Sequence, residues 1–224
     1  MRNRYHIIYS VITVAMLIGT SQVSTATKDI AIVLKVNGDA KIKSTTSDWQ
    51  SLKKGARLQS GDRIRTGSES LVAVVFSDDK TMMKIRSESE LSINGDRTEK
   101  GIAKRLAMNI GQMWDRVTPG TDFRLETPSG VAAVKGTEFY GIVDAEGNLS
   151  IVGIDGLIEL LNELGAILVE KGKTGILKKG IRPILDNTKQ FEDWARLDSD
   201  ENELMIEFEN SEGTKKQLKI RFRK

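Results

Sequence analysis

Residues 127–143 read Thr127-Pro-Ser-Gly-Val-Ala-Ala-Val-Lys-Gly-Thr-Glu-Phe-Tyr-Gly-Ile-Val143. A small-residue apolar run leads to Gly136-Thr137, and an aromatic run follows. The stretch admits three readings: a catalytic loop, a ligand-binding turn or a structural corner. A catalytic Thr137 needs an activating base, yet the chain has no Cys and one His, His6. His6 lies in an N-terminal segment expected to be removed. Ser-His-Asp triads, Cys nucleophiles and His- or Cys-based metal sites are therefore excluded from the remaining chain. The corner reading is the strongest. Pro128 is allowed at the first positions of a strand, and Val131 and Ala133 are small enough for another strand or layer to approach. Beyond the corner, Phe139, Gly141 and Val143 share one side of a strand and Glu138, Tyr140 and Ile142 the other. Phe139 is expected in the core.

The same rhythm extends both ways. Ala31, Val33 and Val36 run into Asn37-Gly38, a turn dipeptide. Ala40 and Ile42 alternate with Lys41 and Lys43, the period of a half-buried strand. Leu71–Phe76 is a Val-rich apolar run too short for a helix, read as a strand buried on both faces. Asp78-Asp79-Lys80 is a turn, and Asn94-Gly95 reads as another. Residues 96–104 are polar and read as a surface turn or short hairpin, with further strands over 107–114 and 123–126. Asp144–Gly147 is a hairpin turn. Leu157–Leu164 has a helical composition, but glycines on both sides favour a strand. The fold class is all-β: short Gly-punctuated strands forming a β-solenoid, β-roll-like or sandwich domain.

The ends differ. Arg2 and Arg4 precede an apolar run over 7–18, and Ser24-Thr25-Ala26 offers small residues for cleavage, so residues 1–26 read as a secretory signal peptide. The alternative is an uncleaved membrane anchor, for which the run is short. Loss of two arginines and no acid would take the formal charge from +3 to +1. That near-neutral balance argues against a nucleic-acid partner. Residues 28–185 form the β domain, and 186–224 a C-terminal appendage. In the appendage, 187–197 reads as a helix with Asn187 and Gln190 as a capping box and Phe191, Trp194 and Ala195 on one face. Residues 203–224 read as a hairpin with Phe208 facing Leu218, Ile206 facing Ile220, Glu207 facing Lys219 and Glu203 facing Arg223. The alternative for the basic end is a phosphate- or membrane-binding tail.

An ordered set of these residues resembles the FecR domain family. It comprises Val36-Asn-Gly38, Trp49, Leu52, Gly55, Leu58, Gly61-Asp62, Ile64 and Thr66, then Ser70–Phe76, Asp78-Asp79, Ser89, Leu91 and Ile93. Gly111-Gln-Met-Trp114, Phe123, Thr127-Pro128 and Val134-Lys-Gly-Thr-Glu-Phe139 follow, with Gly156 and Gly172 at later turns. Lys135 stands where the family more often has Arg. The resemblance implies an extracytoplasmic all-β domain that binds or senses, in the best-known members as part of a regulator that controls a sigma factor through a cytoplasmic N-terminal region. Six residues precede the apolar run here, too few for that region, so contact with a sigma factor is not expected.

The expected function is a non-enzymatic, exported binding or sensing module of the bacterial cell envelope, periplasmic, secreted or anchored. The alternative is a structural protein that binds peptidoglycan or another glycan. No catalytic residue, cofactor or metal site is assigned. Asp78-Asp79 is weighed as a cation site and set aside as a turn, and Glu138 with Asp144 is weighed as a glycosidase pair. Trp194 is weighed as a sugar platform. Lys135, Trp49 and Trp114 remain as candidate contacts for a ligand, a protein or an envelope polymer.

Overall fold

The computed structural model describes residues 29–186, 194–197, 203–209 and 215–221. The signal-peptide reading and the capping box at Asn187 lie outside these residues. In chain order the first strands are β1 (Ala31–Asn37), β2 (Ala40–Lys43), β3 (Gln50–Ser51), β4 (Arg57–Leu58), β5 (Asp62–Thr66) and β6 (Leu71–Phe76). Next come β7 (Met82–Ile85), β8 (Glu90–Thr98), β9 (Gly101–Arg116), β10 (Phe123–Thr127), β11 (Gly130–Val134) and β12 (Glu138–Val143). The body closes with β13 (Leu149–Asp155), β14 (Leu157–Asn162), β15 (Gly165–Glu170), β16 (Thr174–Lys178) and β17 (Ile181–Asp186). A short helix, α1 (Trp194–Leu197), and a separate pair, β18 (Glu203–Glu209) and β19 (Lys215–Arg221), complete the described elements.

These strands pair in two layers. The first runs β4–β1–β6–β7–β9–β12–β13–β16–β17, antiparallel throughout. The second runs β3–β2–β5–β8–β9–β10–β11–β14–β15, antiparallel except for the parallel β9–β10 pair. The long β9 belongs to both. Through Ile110 it pairs with β8 in the second layer, and from Gly111 onward it pairs with β12 in the first. Gly111 has φ 120°, and a Cβ there would lie 2.1 Å from the Ser89 hydroxyl oxygen, so the crossing tolerates no side chain. The chain changes layer at most connections, which winds the sandwich like a roll.

The inward positions of both layers make one core. Val33, Val74, Met83, Phe139 and Ile151 come from the first layer, and Ile64, Leu91, Leu106, Leu125 and Leu160 from the second. Phe139 meets Phe123 of the facing layer edge to face at 6.0 Å. The first layer is apolar on its outer side as well, because β6 is buried from Val72 to Phe76. Leu34, Val75, Trp114, Tyr140 and Val152 form that second cluster with Trp194 and Ala195 of α1. Trp194 packs edge-on to Tyr140 at 5.5 Å, and Lys84 Nζ donates to the Ala195 carbonyl at 2.5 Å.

The opening stretch is the link from layer to layer. β11 lies in the second layer and β12 in the first, with Gly136-Thr137 as the corner between them. Three details differ from the sequence expectation. Thr127-Pro128 does not start a strand: Pro128-Ser129 is the turn of the β10–β11 hairpin, a natural place for the fixed φ of Pro. Asn94-Gly95 sits inside β8, where a Cβ on Gly95 would come within 2.8 Å of Ile102 and 3.0 Å of Ile30; close approach, not a turn, explains that glycine. The β18–β19 hairpin forms with a register two residues away, Ile206 opposite Leu218 and Glu203 opposite Arg221. A two-residue shift preserves the alternation that the pattern demands.

Candidate functional site

A cleft of about 700 Å³ opens where the β9–β10 connection crosses the end of the sandwich. Its floor starts with the β6–β7 turn. Asp79 Oδ1 accepts the Thr81 N–H at 2.9 Å, the side-chain closure that suits Asp to turns. Both carboxylates of the turn then converge on Lys104. Its Nζ donates to Asp78 Oδ2 at 3.0 Å, Asp79 Oδ2 at 2.8 Å and the Ile102 carbonyl at 3.1 Å, three acceptors for three protons. The ring of Phe76 lies 5.0 Å from the same nitrogen. Asp78 Oδ2 also accepts the Ile102 N–H at 2.6 Å, and Asp79 Oδ2 accepts the Thr121 hydroxyl. Burial alone would raise the Asp79 carboxyl. The Lys104 ammonium, the Thr121 hydroxyl and the Thr81 N–H together outweigh it and hold the group below the usual carboxylate range.

The rim consists of Thr98–Ala103 on one side, Thr118–Asp122 on the other, and Lys135. Lys135 is placed there by the corner. Gly136, at φ 74°, packs so tightly on the β9–β10 connection that a Cβ would lie 2.5 Å from Pro119 Cα. The cleft thus offers Lys100 and Lys135 against Glu99 and Asp122, over a floor whose own charges are paired.

Lys104 is buried, not part of a surface turn. Ile102, Lys104, Leu106 and Met108 are all buried on alternate positions of β9, a period visible in the sequence that places Lys104 inside. Where Asp78-Asp79 was weighed for a metal cation, the chain's own ammonium sits. Among the described residues no group of three or more His, Cys, Asp or Glu could hold a metal.

The other candidates do not gather in the cleft. Glu138 bonds Trp114 Nε1 at 3.1 Å and pairs with Arg116 at 3.2 Å, while Asp144 caps its own turn through Asn148. Six residues apart on an extended strand, the two carboxylates are separated by about 20 Å, well beyond the glycosidase spacings. Trp114 is buried between Lys84 and Arg116, and Trp194, in α1, is buried against Tyr140, so neither ring offers an open face. Trp49 is half-buried on the outer side of the second layer, against Arg65 and Arg63.

Behind the corner lies a group that the sequence reading passed over. Asp115 is fully buried, in register with Met83 and Phe139, and neither carboxylate oxygen has a partner among the described residues; nor does Thr137 Oγ1. Burial pushes the Asp115 carboxyl well above 3.8. Between the unfolded value and that raised one, the folded protein keeps a proton that the unfolded chain has released. Stability therefore falls as pH rises through the interval, by about 1.4 kcal/mol per pH unit. Asp115→Asn should remove that slope: near wild-type stability at pH 4 and a growing gain at pH 5.5 and 7, measured by denaturant unfolding. A pH-independent difference would mean that the carboxyl has a partner.

The family description "FecR protein" matches residues 62–159, which contain every residue of the cleft. No curated protein matches the sequence. Two crystal structures of a provisionally named anti-sigma factor from Parabacteroides distasonis ATCC 8503 share the fold, with TM-scores of 0.52 and 0.51 at 15 % identity. The likeness covers 61 % of this chain and 65 % or 64 % of those chains, less than two thirds of their length. Residues 62–159 are thus similar to the FecR family pattern, within a fold that those two structures share.

Proposed function

We propose that this chain is a non-enzymatic sensing module of the bacterial cell envelope, exported through its N-terminal segment, which takes part in signalling by binding a protein partner at the cleft beside Lys135. The FecR domain and the fold shared with an anti-sigma factor support a signalling or sensing role, regulatory rather than catalytic. The observation that carries the binding reading is the cleft itself: it lies wholly within the matched residues, and both floor carboxylates are already tied to Lys104. Recognition then falls to the rim.

The test places a photo-crosslinking amino acid at Glu99 or Lys100 of the full chain in living diderm cells. A discrete protein adduct is expected in the envelope fraction, on a chain whose new N-terminus follows Ala26. Lys135→Glu should abolish the adduct without changing the melting temperature. Adducts confined to the cytoplasm, or indifferent to Lys135→Glu, would overturn the proposal.

A further inference from the structure

The outer face of the second layer carries an arrangement that folding alone does not favour. In the β2–β5 register, Lys41 lies opposite Arg65 and Lys43 opposite Arg63. Neighbouring strands are about 4.8 Å apart and alternate residues about 7 Å, so four cations stand at the corners of a small rectangle. Like charges directly opposite one another destabilise a sheet. Relief inside the protein is partial. Glu90, opposite Arg65 on β8, takes Arg65 through Nε at 3.0 Å and Nη2 at 2.6 Å, and takes Arg63 Nη2 as well. Those two bridges hold its carboxyl down against the opposing effect of burial. Lys43 reaches Asp48 at 3.5 Å, an acid that is 99 % exposed. Lys41 has no ion pair among the described residues.

The two guanidinium groups are also fixed in place. The Trp49 ring stacks on Arg65 at 4.5 Å and touches Arg63 at 5.7 Å. With Glu90 on the neighbouring strand and Trp49 against the guanidinium groups, both forks lose freedom before any ligand arrives, yet Arg63 and Arg65 remain 42 % and 51 % exposed. Prepositioned forks of this kind recognise carboxylate or phosphate oxygens. Further along the same face, Arg105 and Arg124 lie opposite each other across β9 and β10, beside the exposed Asp96 and Asp122 at 3.3 and 3.5 Å, so cations recur on four strands, β2, β5, β9 and β10.

We propose that this face binds an anionic polysaccharide, a chain of sugar rings bearing carboxylate groups, laid across β2 and β5 with Trp49 at its edge. A flat sheet with spaced cations fits an extended polymer. A membrane surface would call for apolar side chains that enter the interface beside the cations, and the apolar group here, Trp49, is held against Arg65. The face shares no residue with the cleft, and the inference rests on the envelope reading only for where such polymers occur. A failed crosslink at the cleft and a failed polymer assay are separate results.

The assay measures binding of the folded full chain to polygalacturonate, with dextran as the neutral polymer, phosphatidylglycerol vesicles and single-stranded DNA as other polyanions. Saturable binding to polygalacturonate is expected, weakening with salt, with none to dextran. Lys41→Gln/Lys43→Gln leaves the Arg63–Glu90–Arg65 cluster intact and should weaken binding roughly three- to tenfold and flatten the salt dependence. Lys178→Gln/Lys179→Gln, equal in charge but outside both this face and the cleft, should bind as wild type. Absence of binding overturns the proposal. So does an equal loss in the control variant, which would reduce the effect to net charge, or tighter binding to vesicles or DNA than to the polysaccharide.

Discussion

Replacing Lys104 by Met should cost roughly 3–5 kcal/mol of stability at neutral pH, the usual penalty for removing one partner from a buried ion pair. The side chain is fully buried, and its two carboxylate partners are 12 % and 19 % exposed. Met fills the same volume, so the loss is electrostatic: Asp78 and Asp79 would face each other in the floor of the cleft without their cation. The effect has a sign in pH. Asp79 lies below its ordinary value in the intact protein. Its contribution to stability is present above the unfolded value and is lost as pH falls through the folded one. In the variant, burial of the same group is no longer outweighed. The difference between the two proteins should therefore be largest near pH 7 and shrink toward pH 3, in unfolding curves taken across that range. Asp78→Asn/Asp79→Asn/Lys104→Met should regain much of the loss, since the repulsion goes with the charges. A Lys104→Met protein that melts as wild type at pH 7 would show that the ammonium is hydrated and that the floor of the cleft is open to water.

The layered architecture was legible because burial imposes a period of two, and the sequence keeps it. Leu71–Phe76 departs from that period toward a continuous apolar run, and β6 is indeed covered on both faces, by the core and by the cluster that includes α1. The cleft was legible only in pieces. The sequence marks Lys135 as a candidate contact and Asp78-Asp79 as a turn, but what joins them is the crossing of β9 from one layer to the other. That crossing brings residues 78, 121 and 135 together from three connections, with Lys104 of β9 bonded to the floor beneath them. Composition misleads at Lys104 and Asp115. Both sit at inward positions of β9, and a charged residue invites a surface reading even where its neighbours two positions away are Leu106 or Met113. Trp114 and Trp49 show the converse. Ring type suggested two contacts, but only the register decides which ring is under a helix-covered face and which stands beside arginines.

Phe139→Ala tests the opening stretch directly. Phe139 is fully buried on the first strand after the corner and packs edge to face on Phe123 from the opposite layer. Its removal should cost about 3–5 kcal/mol, of which about 0.5–1.5 kcal/mol belongs to the aromatic pair. Phe139→Leu, which keeps most of the volume, should cost markedly less. The register adds a second expectation. Asp115 lies directly opposite Phe139, on the same inward side of the first layer. The cavity left by Ala adjoins a buried carboxyl without a partner, a polar lining that lets water enter. Water there would hydrate the Asp115 carboxylate and lower its raised value, so part of the cavity penalty should be recovered as pH rises. Denaturant unfolding of Phe139→Ala, Asp115→Asn and the double variant at pH 4 and pH 7 separates the two effects. Non-additivity at pH 7 that disappears at pH 4 is the expected outcome, as for residues that share one cavity. Additive losses at both values would mean that the cavity stays dry, and an unchanged stability for Phe139→Ala alone would place the ring outside the core and return the corner to the ligand-binding reading.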